Sequence, residues 1–161
     1  MKFSTRAHYG LRAMAELARS YHLGPLSLAE IAQAEGLSLG YLEQLMAKLR
    51  RAGLVQATRG VHGGYHLAAP PSVVTVGNVL RALDGPLDPV RCVSEVVEHC
   101  DCQRYDSCSS RPVWQKLRDT MAEVLDSTTL ADLVPPADVT GQTTAVADKA
   151  VANDHLAGSS L

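Results

Sequence analysis

The stretch Ser38–Leu67, SLGYLEQLMAKLRRAGLVQATRGVHGGYHL, holds the pattern that decides the fold. Leu42, Leu45, Met46 and Leu49 recur at three- and four-residue spacing, one face of a helix that begins after Ser38 and stops at Gly53. Tyr41, Glu43, Gln44, Lys48 and Arg51 are left for its other faces. The periodicity then changes. Leu54 to Thr58 and Tyr65 to Leu67 read as strands, and between them RGVHGG makes a glycine-rich hairpin tip bearing Arg59 and His62.

Upstream, SLAEIAQAEGL reads as a short helix. Ser27 and Glu30 form a capping box, Leu28, Ile31 and Ala32 supply the buried stripe, and Gly36 ends it. Two helices across a tight turn, the second polar and basic outside, are the pattern of a helix-turn-helix. Adding the basic hairpin makes a winged helix. A longer helix, STRAHYGLRAMAELARSY, precedes them and ends at Gly24-Pro25.

Downstream, Pro70-Pro71 marks a boundary. Thr75 caps a small helix packed through Val76, Val79 and Leu80, and a cysteine-bearing loop follows. Pro112 suits the first turn of a long helix, whose Val113, Leu117, Met121 and Val124/Leu125 make an apolar seam. STTLADLV adds one more short turn. The expected organisation is mainly α with a small β-hairpin wing: a winged helix-turn-helix over 1–70, the cysteine loop and a dimerisation helix over 71–134, and a disordered tail over 135–161. The winged helix has elements enough for its own core, so the seam is assigned to pairing with a second copy.

Charge divides along the same line. Residues 1–70 carry eight Lys/Arg and four Glu, a net of +4, whereas the remainder is −6. A basic first half joined to an acidic second half points to a polyanion-binding module attached to something else. Aromatic content of 4% argues against a base-stacking platform for single strands. Tyr41 and Gln44 are candidate hydrogen-bond donors to DNA, Lys48 and Arg51 phosphate contacts, and Arg59 a minor-groove residue, with Ser38 and His62 at the edges of the same surface. Glu43 repels phosphate. On a DNA-facing helix it either accepts from a cytosine amine or excludes wrong sequences. No nucleophile–base pairing or phosphate loop points to an enzyme.

Met1 to Ser20 is amphipathic and charged, unlike a secretory signal, and no apolar run approaches the roughly 20 residues of a membrane span. The expectation is a cytoplasmic protein without membrane contact. All four cysteines, Cys92, Cys100, Cys102 and Cys108, lie in one run. In a reducing compartment such clustering indicates metal or redox chemistry rather than structural disulfides. Structural zinc sites pair cysteines as C-x(2–4)-C, whereas the gaps here are seven, one and five residues. Uneven gaps favour a loop around something larger than one ion, as in iron–sulfur sites. A cluster-free thiol sensor, with Cys100 and Cys102 as a reactive pair, and a zinc-stabilised module are the alternatives.

STRAHYGLRAM, LSLGYLEQLM, GLVQATRGVHGGYHL, and VRC followed by Cys102, Cys108 and a tryptophan together resemble the IscR/NsrR-type iron–sulfur winged-helix transcription regulators, over about residues 1–134. The resemblance implies a DNA-binding homodimer with a [2Fe–2S] or [4Fe–4S] cluster in each subunit, held by Cys92, Cys102 and Cys108. It places Tyr41, Glu43 and Gln44 among the recognition residues and Arg59 in the wing. The chain departs from the family twice. The gap from Cys92 to Cys102 is longer and contains the extra Cys100. Some members also use a histidine three residues after the last cysteine as fourth ligand, and that position here is Arg111, which cannot ligate iron. Cys100 and His8 are the fourth-ligand candidates, with His99 a weaker third. At the position of His8 some relatives place a carboxylate that reaches the partner's cluster.

Overall fold

The computed structural model describes residues 3–96 and 100–134. The expected tail over 135–161 and the candidate ligand His99 lie outside the described residues. No helix among the described residues is long and apolar enough to cross a membrane.

Helix α1 (Thr5–Arg19) opens at Ser4, whose hydroxyl accepts from the Ala7 amide, and it buries Ala7, Gly10, Ala13, Met14, Leu17 and Ala18. Helix α2 (Leu28–Glu35) has the expected capping box, with the Ser27 amide donating to Glu30 and the Glu30 amide to Ser27. It stops at Gly36, whose φ of 64° is the left-handed conformation that glycine adopts at least cost. Helix α3 (Leu39–Arg51) is capped by Ser38 and buries Leu42, Leu45, Met46 and Leu49, the four positions that the spacing selects.

Strands β1 (Val55–Thr58) and β2 (Gly64–Leu67) pair antiparallel, Val55 opposite Leu67 and Thr58 opposite Gly64. A single bridge from Leu26 to Tyr65 sets a third stretch of chain beside β2 and fastens the wing to the α1–α2 connection. That docking requires Gly64, because a Cβ there would stand 2.3 Å from the Leu26 carbonyl oxygen.

Helix α4 (Val76–Asp84) opens at the Thr75/Asn78 capping box. It is followed by a 3-10 turn at Arg91–Val93, helix α5 (Arg111–Ser127), and the short helix α6 (Leu130–Leu133). The core runs across residue 70. Val74, Val79, Leu83 and Leu130 belong to the same buried cluster as Met14, Leu17, Ile31, Leu42, Leu45, Met46 and Leu49. α4 is thus the keystone between the N-terminal helices and the cysteine segment. Its last residue, Asp84, accepts from the Ser4 amide at 2.9 Å and from the Ser4 hydroxyl. α5 differs from all these helices in burying none of its residues. Val113, Leu117 and Val124 are 66%, 41% and 56% exposed.

Candidate nucleic-acid interface and cysteine segment

The outer face of α3 is built on helical spacing. Gly40, Gln44, Ala47 and Arg51 follow one another at intervals of four, three and four residues, and all are exposed. Glu43 and Arg50 are exposed on one flank, with Leu39 half open at 51%. The small residues at 40 and 47 leave the helix backbone open along this face. Arg50 is a basic residue that the reading of the sequence missed. Its signal was present, because it lies seven residues after Glu43 and so shares a face with it.

The opposite flank turns inward. Tyr41 is half-buried and meets Tyr9 of α1 edge to face, centroids 6.2 Å apart and planes at 89°. Arg12 stands over the same Tyr9 ring at 5.7 Å and also pairs with the Glu35 carboxylate at the end of α2. Lys48 is half-buried, and its Nζ donates to the Leu83 carbonyl of α4 at 3.4 Å. Of the five outward residues expected on α3, therefore, Glu43, Gln44 and Arg51 are free on its surface, while Tyr41 and Lys48 touch neighbouring helices. The Ser38 hydroxyl accepts from the Tyr41 amide at 3.4 Å.

At the wing tip the Gly63 amide donates to the Gly60 carbonyl at 3.0 Å, and Gly60 has a φ of 118°. Arg59 and His62 are exposed, and Val61 projects with 98% of its surface open. His62 also lines an open concavity of about 440 Å³ with Tyr21, Thr58 and His66, where the wing meets the α1–α2 connection.

The four thiols are all free. Cys92 lies in the 3-10 turn. The carbonyl of the next residue, Val93, accepts from Arg118 of α5 at 2.9 Å. Cys100 is half-buried and Cys102 exposed. The Cys102 carbonyl accepts from the Tyr105 amide at 2.9 Å, opening the turns that lead to α5. The Cys108 sulfur lies 3.3 Å from the Ser110 hydroxyl. Its thiol is held below the usual cysteine range, first by hydrogen bonds from Ser110 and then by Arg111. The Arg111 guanidinium stacks on the Tyr105 ring at 3.7 Å and donates to the Tyr105 hydroxyl. Its Nε is buried and has no partner among the described residues.

Among the described residues no three His, Cys, Asp or Glu side chains are gathered closely enough to hold a metal ion. The structure therefore places the candidate ligands along one segment without assembling them. His8 is exposed on α1, its ring 5.2 Å from that of Tyr9. In kind, the donors suit an iron–sulfur cluster. They are soft thiols, one already biased toward thiolate, beside an orphaned guanidinium N–H suited to a sulfur acceptor.

Residues 3–136 match the Rrf2 family, described as iron-dependent transcriptional regulators. The chain belongs to this family. As an Rrf2 protein it is 47% identical to the HTH-type transcriptional regulator CymR of Bacillus subtilis over 133 residues, covering 83% of this chain and 89% of that one. It is 37% identical to the regulator IscR of Escherichia coli over 134 residues, covering 83% and 80%. The solved structure of CymR, the global cysteine regulator of B. subtilis, superposes with a TM-score of 0.69 over 83% of this chain and 95% of that one. T. potens IscR, 43% identical, gives 0.66 over 83% and 85%. These relatives establish the winged-helix fold of this Rrf2 chain and make it a transcriptional regulator, not an enzyme.

Proposed function

We propose that this Rrf2 regulator acts in the cytoplasm as a homodimer, reads a roughly palindromic operator with α3 and the wing, and senses iron–sulfur, redox or nitric-oxide status through a cluster on Cys92, Cys102 and Cys108. The observation that carries this reading is the placement of four free thiols on one segment between α4 and α5. Glu43, Gln44 and Arg51 would meet base edges and phosphates in the major groove, and Arg59 the minor groove. When bound, the cluster supplies a redox-active and nitric-oxide-reactive centre. The chain's own residues do the rest. Cys108 is pre-biased to the ligating thiolate by Ser110 and Arg111. Arg118 fixes the backbone beside Cys92. Cys100 or His8 completes the ligand set, the latter from α1 of the partner subunit. The exposed seam of α5 is the dimer contact.

Anaerobic purification tests this. A brown protein with bound iron and sulfide, losing both in Cys92→Ala and Cys108→Ala, is the expected result. A colourless protein with stoichiometric zinc would overturn it.

A thiol-based sensor is the second reading, favoured by the depressed pKa of Cys108. A related structure, 35% identical with a TM-score of 0.66, is that of the oxidized form of Staphylococcus aureus CymR. Under this reading mild oxidation of the metal-free protein yields a disulfide or sulfenate at Cys108 and changes operator affinity.

A further inference from the structure

We propose that Arg81 is a positioning residue: it clasps the Cys92 arm of the cysteine segment and carries that arm's state to the reading helix. The inference rests on the reading that the thiols govern DNA affinity, and it goes beyond it by naming the route.

Arg81 stands on α4 and grips two carboxylates from two other elements. Its Nε and Nη2 donate to Glu95 at 2.9 Å each, and its Nη1 and Nη2 donate to Asp126 of α5 at 2.5 and 2.9 Å. Such fork-to-carboxylate pairs fix orientation as well as distance. Glu95 lies three residues beyond Cys92, and its amide is in turn held by Asp88 at 3.0 Å. Arg118 holds the Val93 carbonyl. The arm bearing Cys92 is therefore pinned from α4, from α5 and from its own approach. The Glu95 carboxyl is kept below the usual glutamate range, Arg81 being the leading cause. Gly77 keeps the space open, since a Cβ there would lie 1.9 Å from Asp126 Oδ1 and 2.6 Å from Arg81 Nη1.

The other end of the route is within one helical turn. Leu83, two residues after Arg81, is buried in the main core and takes the Lys48 ammonium of α3 on its carbonyl. Asp84, one further on, caps α1 through Ser4. Any rearrangement that moves Glu95 must release or drag Arg81. α4 then moves against α1, through Asp84 and Ser4, and against α3 itself, through the Leu83 carbonyl and Lys48. Hydrogen-bonded and packed groups of this kind carry coupling between separate sites when they have two discrete arrangements, and the operator measurement asks whether these do.

The test uses the full chain, metal-free and reduced, with Arg81→Gln and, should that variant fold poorly, Glu95→Gln at a more open position. Iodoacetamide labelling followed by mass spectrometry gives the rate at each thiol. Release of the clasp should raise the Cys92 rate about fivefold, the scale of a partly exposed ion-pair network, and leave Cys102 unchanged. Operator affinity is then compared before and after the thiols are blocked. The ratio of the two affinities should fall toward one in the variants. An unchanged Cys92 rate overturns the positioning role. A ratio equal to wild type, or a wild-type ratio of one, overturns the signalling role. Iron analysis of anaerobically purified protein judges the cluster reading separately, because the labelling needs no cluster.

Discussion

Gly10 of α1 lies directly against Leu83 of α4: a Cβ on Gly10 would stand 2.1 Å from Leu83 Cδ1. An exposed glycine inside a helix is normally improved by alanine, by roughly 1 kcal/mol. Here the sign reverses. Leu83 is 3% exposed and closes the main core, so it has nowhere to turn. Gly10→Ala should cost on the order of 1–3 kcal/mol, the usual range for overpacking. A urea titration would show the midpoint lowered at unchanged slope. A raised midpoint would mean that the α1–α4 contact is looser than it stands here.

Gly77→Ala makes an instructive contrast. The groups in its way are the Asp126 carboxylate and the Arg81 guanidinium, and the Asp126 side chain is 44% exposed and can swing into solvent. The stability change should stay within about 1 kcal/mol, because exposed ion pairs contribute little. The clasp on Arg81, however, loses one of its two carboxylates. Faster labelling of Cys92 with a nearly unchanged melting temperature is the expected pair of results. A large melting shift without faster labelling would make Gly77 a packing residue only.

Much of this was legible in the sequence, for local reasons. The Ser27/Glu30 capping box and the cap at Thr75 are contacts between residues three apart, so the chain announces them, although the return bond to the Asn78 side chain came only with the structure. The buried quartet of α3 follows from helical periodicity alone. What was not legible depends on partners far along the chain. Lys48 looks outward until α4 supplies the Leu83 carbonyl, 35 residues away, and Arg81 acquires Asp126 from 45 residues away. Periodicity cannot foresee either. Nor can it say which thiols converge, since the cysteine segment has no repeating pattern to constrain its path.

Arg59→Ala tests the wing. Arg59 is exposed at the base of a tip that Gly60 and Gly63 hold in a tight turn. If it neutralises one phosphate, the slope of log affinity against log salt should flatten by about 0.9. Affinity should fall most on sites with a narrow minor groove, because an arginine there reads groove shape and potential rather than a base edge. Glu43→Ala should behave oppositely: a nearly unchanged slope, with an altered preference at one base pair. Fluorescence anisotropy over a salt series separates the two. Identical behaviour of both variants would remove the division of labour between wing and helix.

Acid should weaken the fold through three depressed carboxyls. Glu30 and Asp132 are lowered by the hydrogen bonds of their helix caps, and Glu95 mainly by Arg81. A carboxyl whose pKa is lower folded than unfolded adds stability at neutral pH, and that stability disappears as pH falls through the folded value. Stability should therefore be level down to the ordinary carboxyl range and decline below it. Glu95→Gln removes one contributor, so its loss between about pH 7 and about pH 3 should be smaller than that of wild type. Chemical denaturation at stepped pH gives the comparison, and equal losses would deny Glu95 its part.

The seam on α5 makes the last prediction. Val113, Leu117 and Val124 are spaced four and seven residues apart, share one face, and are more than a third exposed. Apolar side chains in such a row are covered when two copies meet, and a carboxylate set among them must be desolvated without a partner, at a cost of several kcal/mol. Leu117→Asp or Val124→Asp should thus convert a dimer to a monomer in analytical ultracentrifugation at micromolar concentration. The monomer should still fold, because α5 has no fully buried residue and both variants leave in place Leu125, which packs against the Ala7, Val76, Leu80 and Leu87 cluster. On DNA it should occupy half-sites without cooperativity. Val61→Asp at the wing tip is the matched control: it places the same charge at a 98% exposed apolar position away from the seam. It should leave the mass at that of the dimer and weaken DNA binding through repulsion of phosphate. A wild-type chain that sediments as a monomer would remove the dimer from this account and leave the seam for a different partner.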